Sequence, residues 1–243
     1  MNQDIPRPAD PALLRLIDVG AGLVPGGGVQ EKWQPHQESI IPVLFEPNPV
    51  EAADLRARLA HAIVVEAALS NVVGRRNLVI TANPTCISLR SPNQEFLSSY
   101  EVRPHLRVKG TYEVDCTRYD VLHQQGVVPV PDAIKLDVQG CEYEVLLGFG
   151  ALLQDCLGIE LETQFYPVYR EQRLLGDIIT LLGEYGFVLR KLDQNKMGHF
   201  DGDLVEVDAY FTKPRSVVRS YDAVQRRKFD LLTEVWQLAH YQL

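Results

Sequence analysis

Cysteine is scarce in this 243-residue chain: Cys86, Cys116, Cys141 and Cys156 stand far apart and form no C-x-x-C pair. That spacing indicates neither a disulfide framework nor a zinc site and predicts buried free thiols. Long apolar runs are missing too. None approaches the roughly 20 residues needed to span a bilayer, so no membrane partner is expected. The start, Met1-Asn2-Gln3-Asp4-Ile5-Pro6, lacks the basic-then-apolar order of a secretory signal, and a cytoplasmic location is expected. Positive charge is in deficit, with 24 Lys and Arg against 32 Asp and Glu for a net charge of -8. It gathers into no basic stripe, which argues against nucleic acid as the main partner. Internal repeats and low-complexity tracts are absent. What remains, 46% hydrophobic and 23% charged residues, suits one large α/β domain with modest additions.

Short apolar segments alternate with longer amphipathic ones. Strands are predicted at 14–19, 40–45, 62–66, 133–137, 157–162, 187–191 and 205–212, with helices notably at 50–60, 142–153 and 174–183. Such alternation implies βαβ units and a mostly parallel, doubly wound sheet. The polar connection 193–203, bearing Gly198 and Gly202, is too short for a crossover helix, so the last two strands are expected to be antiparallel. Residues 1–12, with Pro6, Pro8 and Pro11, read as a flexible leader ahead of a domain over 13–215. Within it, 77–116 breaks the rhythm: strand-like pieces at 78–81, 86–89 and 111–114 predict an insertion, a hairpin plus a loop over the site. Over 216–243 a last helix is expected, because Val217, Tyr221, Val224, Lys228, Leu232, Val235 and Ala239 follow three- and four-residue steps. Its expected role is packing on its own domain, the alternative being a homodimer contact.

Chemistry concentrates at the strand ends. Asp18-Val19-Gly20-Ala21-Gly22 follows the first strand, and its glycines allow a tight turn and close backbone approach to a ligand. A dinucleotide fingerprint needs a third glycine at residue 25; Pro25 stands there and weakens the pyrophosphate reading. The second strand ends in Glu46, placed to accept hydrogen bonds from a ribose diol. The third ends in Glu66-Ala67-Ala68-Leu69-Ser70, small residues whose backbone suits an adenine edge. The fourth ends in Asp137, turns at Gly140 and restarts as an acid-led helix at Glu142, leaving Asp137, Gln139 and Glu142 clustered. Together these are the parts of an adenosine-bearing cofactor site at adjacent strand ends.

On these motifs the chain resembles the FkbM family of S-adenosylmethionine-dependent methyltransferases. The resemblance runs through I-D-V-G-A-G (17–22), F-E-P-N-P (45–49), A-L-S (68–70), I-K-L-D-V-Q-G-C-E-Y-E-V-L-L-G (134–148) and E-T-Q-F-Y-P-V-Y (162–169). It continues through L-L-G (174–176), G-F (186–187) and V-D-A-Y-F (207–211). It implies a Rossmann-like, seven-stranded, mostly parallel sheet with an antiparallel last strand, of the class I methyltransferase type. It also implies S-adenosyl-L-methionine as cofactor and, as acceptor, a hydroxyl on a sugar, glycan precursor or secondary metabolite. Carried over by position, Asp18, Gly20 and Gly22 line the methionine end, Glu46 holds the ribose, Ala67 and Ala68 flank the adenine, and Asp137 sits near the sulfonium and the acceptor. Two departures stand out. Gln139 occupies a position where the family commonly has glutamate, and segment 23–29 replaces a direct helix entry.

An alcohol acceptor must lose a proton, which calls for a base or a metal. Candidate bases are Asp137, Glu142 and His199; Glu142 equally suits a helix-start carboxylate and His199 a solvated loop position. Gln139, Glu162, Gln164 and Tyr166, with Thr163 and Tyr169, are candidate acceptor contacts or else loop packing, and Cys86, Ser88, Arg90 and Arg103 are weaker candidates. A divalent metal is compatible with this chemistry, but no residue cluster indicates one. The alternatives are a nicotinamide-dependent oxidoreductase, disfavoured by Pro25 and the antiparallel last strand, and a non-catalytic module that keeps the cofactor fold.

Overall fold

The computed structural model describes residues 10–22, 29–194 and 198–238. Most of the expected leader, Pro25 with the glycines at 26–28, and Ala239 lie outside these residues. In chain order the strands are β1 (Leu14–Val19), β2 (Ile40–Phe45), β3 (Ile63–Val65), β4 (Ala68–Leu69), β5 (Gly74–Thr81), β6 (Val108–Thr117), β7 (Ala133–Leu136), β8 (Gly158–Gln164), β9 (Val188–Asp193), β10 (His199–Phe200), β11 (Asp203–Leu204) and β12 (Glu206–Thr212). Seven of them form one sheet in the order β3-β2-β1-β7-β8-β12-β9. Pairing is parallel from β3 to β8, and β12 runs antiparallel to both β8 and β9. β1 and β2 are buried along almost their whole length, as central parallel strands covered on both faces must be.

The helices are α1 (Pro49–Arg58), α2 (Gln94–Leu97), α3 (Tyr119–Gln124), α4 (Glu142–Phe149), α5 (Leu175–Glu184), α6 (Arg215–Val218) and α7 (Ala223–Val235). α1 starts where it does because Pro49 is preset for a first turn and the Asn48 side chain accepts the Val50 N–H at 2.9 Å. A 3-10 stretch, Glu31–Ser39, precedes β2, and Pro35 inside it removes a backbone donor. The expected helix over 142–153 ends at Phe149, where Gly150 takes φ +53°, and continues only as a 3-10 turn, Gly150–Gln154.

The insertion is a long antiparallel hairpin of β5 and β6, with β4 adding in parallel to β6 as a second, three-stranded sheet. The expected strand at 86–89 is not one. Pro84–Cys86 makes a 3-10 turn, and Ser88 forms a single bridge to Val79. All four cysteines are free.

The single helix expected over 216–242 is two helices. Asp222 breaks the periodic pattern: its carboxylate accepts the Val224 and Gln225 N–H groups, and the Gln225 side chain returns to the Asp222 N–H, starting α7 afresh. Val217 and Val224, counted into the stripe by spacing, are exposed. Phe229, Leu232, Val235 and Trp236 are buried with Leu14, Leu44 and Tyr210 of the main sheet. A Cβ at Gly158 would come within 2.7 Å of Leu232 and Trp236, so β8 and α7 approach as closely as a glycine permits. Lys228, also in the stripe, is buried against Asp132 at 2.7 Å.

Candidate active site

A cleft opens at the carboxyl ends of β1, β2, β3 and β7. Gly20, Glu46, Asn48, Ala67, Ala68, Asp137 and Gln139 line it together with Leu78, Ile87, Leu89 and Tyr112 of the insertion. Two glycines shape its floor. Gly20 has φ +88°, and a Cβ there would lie 2.1 Å from the Asp137 carbonyl oxygen. At Gly22 a Cβ would lie 2.1 Å from Glu46 Oε2. Any side chain at either position would displace a neighbour. Glu46 is 8% exposed, and its Oε1 accepts the Asn48 N–H at 2.7 Å. Burial raises its pKa, opposed by hydrogen bonds from the Asn48 and Gly22 backbones.

Asp18, expected on the methionine-end wall, is buried and is not among the cleft-lining residues. Strand register explains this. Asp18, Lys135, Glu160 and Tyr210 are successive cross-strand partners and so share one face of the sheet. Lys135 Nζ lies 3.3 Å from Asp18 Oδ1 and 3.4 Å from Asp137 Oδ2, tying the buried acid to the cleft-lining one. Burial raises the Asp18 pKa against the pull of Lys135. For Lys135, burial alone would lower the pKa, but Asp18, Asp137 and Glu160 outweigh it and hold the ammonium above its usual range. Lys32, from the 3-10 stretch, bonds Glu160 in the same row. Lys135 escaped the sequence reading, although a lone cation inside an otherwise apolar four-residue strand was its visible signal.

Gln139 organises the polar cluster beside Asp137. With φ +55° it directs its Nε2 to Asp137 Oδ1 at 3.0 Å and to Glu162 Oε1 at 2.6 Å, while its Oε1 accepts the Tyr169 hydroxyl at 2.7 Å. Its backbone carbonyl accepts the Ser88 hydroxyl at 2.7 Å, fastening the insertion to this turn. Carboxyls crowd here. Burial, then Asp137 and Glu206, raise Glu162 well above the usual range; burial pushes Glu206 up to about 7 and Asp208 up to about 6. Gln164 is fully buried and donates to Glu206 Oε2 at 3.1 Å, which makes it framework to this cluster.

The other expected residues sit apart. Glu142 is 1% exposed and its Oε1 accepts the Val138 and Gly140 N–H groups, each at 3.2 Å, so it staples the turn that carries Asp137; burial pushes its pKa up to about 7. Tyr166 is exposed and stacks on Phe96 at 5.7 Å. His199 is exposed on the β10–β11 hairpin and does not line the cleft. Arg90, a weaker candidate, pairs with Glu144 at 2.7 Å. Among the described residues no group of three or more His, Cys, Asp or Glu side chains is placed to hold a metal ion, and no helix is long and apolar enough to cross a membrane.

Seven strands in this order, six parallel and one reversed, with the cleft at the carboxyl edge, define the Rossmann-like methyltransferase fold. Residues 29–189 match the family described as Methyltransferase FkbM domain, and the chain belongs to that family. Among solved structures it is similar to the methyltransferase FkbM from Methylobacillus flagellatus KT, at 13% identity and a TM-score of 0.51. That similarity covers 82% of this chain but only 44% of the other, so this chain spans less than half of its length. A precorrin-6y C5,15-methyltransferase from Geobacter metallireducens GS-15 also aligns, at 13% identity and a TM-score of 0.38, over 83% of this chain and 81% of that one. No curated protein matches the sequence.

Proposed function

We propose that the chain is an S-adenosyl-L-methionine-dependent O-methyltransferase acting on a hydroxyl of a sugar, glycan precursor or secondary metabolite. The observation that carries this reading is the cradle at Gly20, Gly22 and Glu46, where neither glycine has room for a Cβ and a buried carboxylate faces the turn. Glu46 would hold the ribose hydroxyls, Ala67 and Ala68 leave space beside the adenine, and the Gly20–Gly22 turn receives the methionine end. The bound cofactor supplies a methyl group already activated on a sulfonium.

The chain's own task is to align the acceptor, exclude water and take a proton from the acceptor hydroxyl. Asp137 lines the cleft where the cofactor side meets the acceptor side, and Lys135 and Gln139 fix its two carboxylate oxygens. In this reading Asp137 is the base nearest the reacting hydroxyl. Glu162, reached through the Gln139 amide, is a neighbouring carboxyl in which burial favours the protonated form. Gln139 and Glu162, joined by a hydrogen bond beside Asp137, would present polar groups to the acceptor, a combination suited to a hydroxyl-rich small molecule or glycan.

Calorimetric or thermal-shift titration with S-adenosylmethionine, S-adenosylhomocysteine and NAD(H) tests the reading. Stabilisation by the first two alone is expected. A response to NAD(H) alone would replace it with the oxidoreductase reading, and no response to any of them would leave a binding module. Methyl transfer to a panel of sugars and metabolites then identifies the acceptor.

A further inference from the structure

We infer that Tyr112, carried by the insertion and not by the main sheet, is a cofactor-binding residue that closes the nucleoside end of the cleft, an assignment that rests on the cofactor reading above. β6 pairs Tyr112 with Leu78 of β5. Alternation along β6 sends Tyr112 and Val114 to one face and the exposed Thr111, Glu113 and Asp115 to the other. The inner face packs with Ala68, Leu78, Ile87 and Leu89. It therefore contributes an apolar wall to the cleft, and Tyr112 lines the same cleft as Gly20, Glu46 and Ala67.

The tyrosine hydroxyl has no hydrogen-bond partner among the described residues. Tyr112 and Glu46 line one cleft, and burial, then the charge of Glu46, favour the protonated tyrosine, which leaves its hydroxyl a donor. An apolar slot with a ring on one wall suits a flat heteroaromatic base. A hydroxyl donor and a carboxylate acceptor lining one cleft suit a vicinal diol, whose oxygens both donate and accept. A purine nucleoside combines the two. Its base would lie against the Tyr112 ring and its ribose between the tyrosine hydroxyl and Glu46.

Calorimetric titration of the full chain with S-adenosylhomocysteine and with 5′-methylthioadenosine, which lacks the amino-acid half, tests the assignment. Tyr112→Leu should weaken both ligands by the same factor, roughly tenfold or more, the scale of a lost base–aromatic stack. Tyr112→Phe, which keeps the ring, should weaken both by a smaller, several-fold factor. Melting of each unliganded variant checks the fold, and if Tyr112→Leu does not fold, Tyr112→Phe decides alone. Affinities within twofold of the unaltered chain would overturn the assignment while leaving the cofactor reading intact. An unaltered chain that binds neither ligand would overturn both.

Discussion

Replacing Gln139 with glutamate probes the acid cluster most directly. The amide donates to carboxyls 3.0 Å and 2.6 Å away, so glutamate keeps the shape and the acceptor for Tyr169 but exchanges the shared donor for an oxygen. While the new carboxyl holds a proton it replaces one of the two donated bonds. Once ionised, it adds negative charge next to Asp137, where burial and neighbouring acids already raise Glu162. Two unit charges 4 Å apart interact by about 4 kcal/mol at an effective dielectric of 20. The Asp137 side chain is 38% exposed, so solvent screening reduces this to roughly 2 kcal/mol. The sign follows from linkage. A carboxyl whose pKa is higher folded than unfolded binds protons preferentially in the fold, and stability falls as pH rises from the unfolded value through the folded one. The deficit of Gln139→Glu should therefore be small near pH 5 and grow to roughly 2 kcal/mol near pH 8, about 4–8 °C in melting temperature for a chain of this length. Scanning calorimetry of both proteins across that range measures it. A deficit that stays constant, or that closes as pH rises, would refute the electrostatic account.

The same linkage applies to Glu142, whose pKa burial pushes up to about 7: stability tied to its protonated form is lost as pH climbs from about 4.5 to about 7. Glu142→Gln keeps an acceptor for the two N–H groups and should flatten the melting-temperature profile in that window; an unchanged slope would contradict the assignment. Gly22→Ala forces the Glu46 carboxylate aside, since the new Cβ would lie 2.1 Å from Oε2 and 2.6 Å from Cδ. It should abolish stabilisation by S-adenosylhomocysteine while the unliganded melting temperature stays near that of the unaltered chain. Lys135→Met leaves Asp18 buried without its cation and should cost about 3 kcal/mol, seen as a lower denaturation midpoint with an unchanged slope against denaturant.

Much of the frame was legible because it rests on local pattern. β1 and β2 begin and end where their apolar runs do, and the length of the 193–203 connection alone foretold the reversed strand. The acids at the strand ends were legible for the same reason: a polar residue closing an apolar run marks the sheet edge. What escaped depends on competition or on register. Spacing favoured a continuous helix over 216–242, and the Asp222 cap, satisfying two backbone donors, broke it. The glycine turn after the first strand and the family resemblance put Asp18 at the site but could not say which face it takes. Its pairing with Lys135 shows that the two share one face of the sheet and that a buried ammonium links Asp18 to Asp137.

The insertion shows why the cleft could be located from sequence while its far wall could not. Its inner face is set by a pairing across almost fifty residues, Ala68 with Cys116, and no local signal encodes that. Once formed, the pairing holds the apolar face of β5 and β6 against Ala68, and the Ser88 hydroxyl ties the following loop to the Gln139 carbonyl. One segment thus touches both halves of the cleft: its apolar face lies over the proposed nucleoside end and its serine holds the turn that orients Asp137 and Glu162. Under the proposed function, a change in the insertion reaches the acceptor side through Ser88 even when it contacts neither ligand. Cofactor and acceptor binding should therefore be coupled through the Gln139 turn.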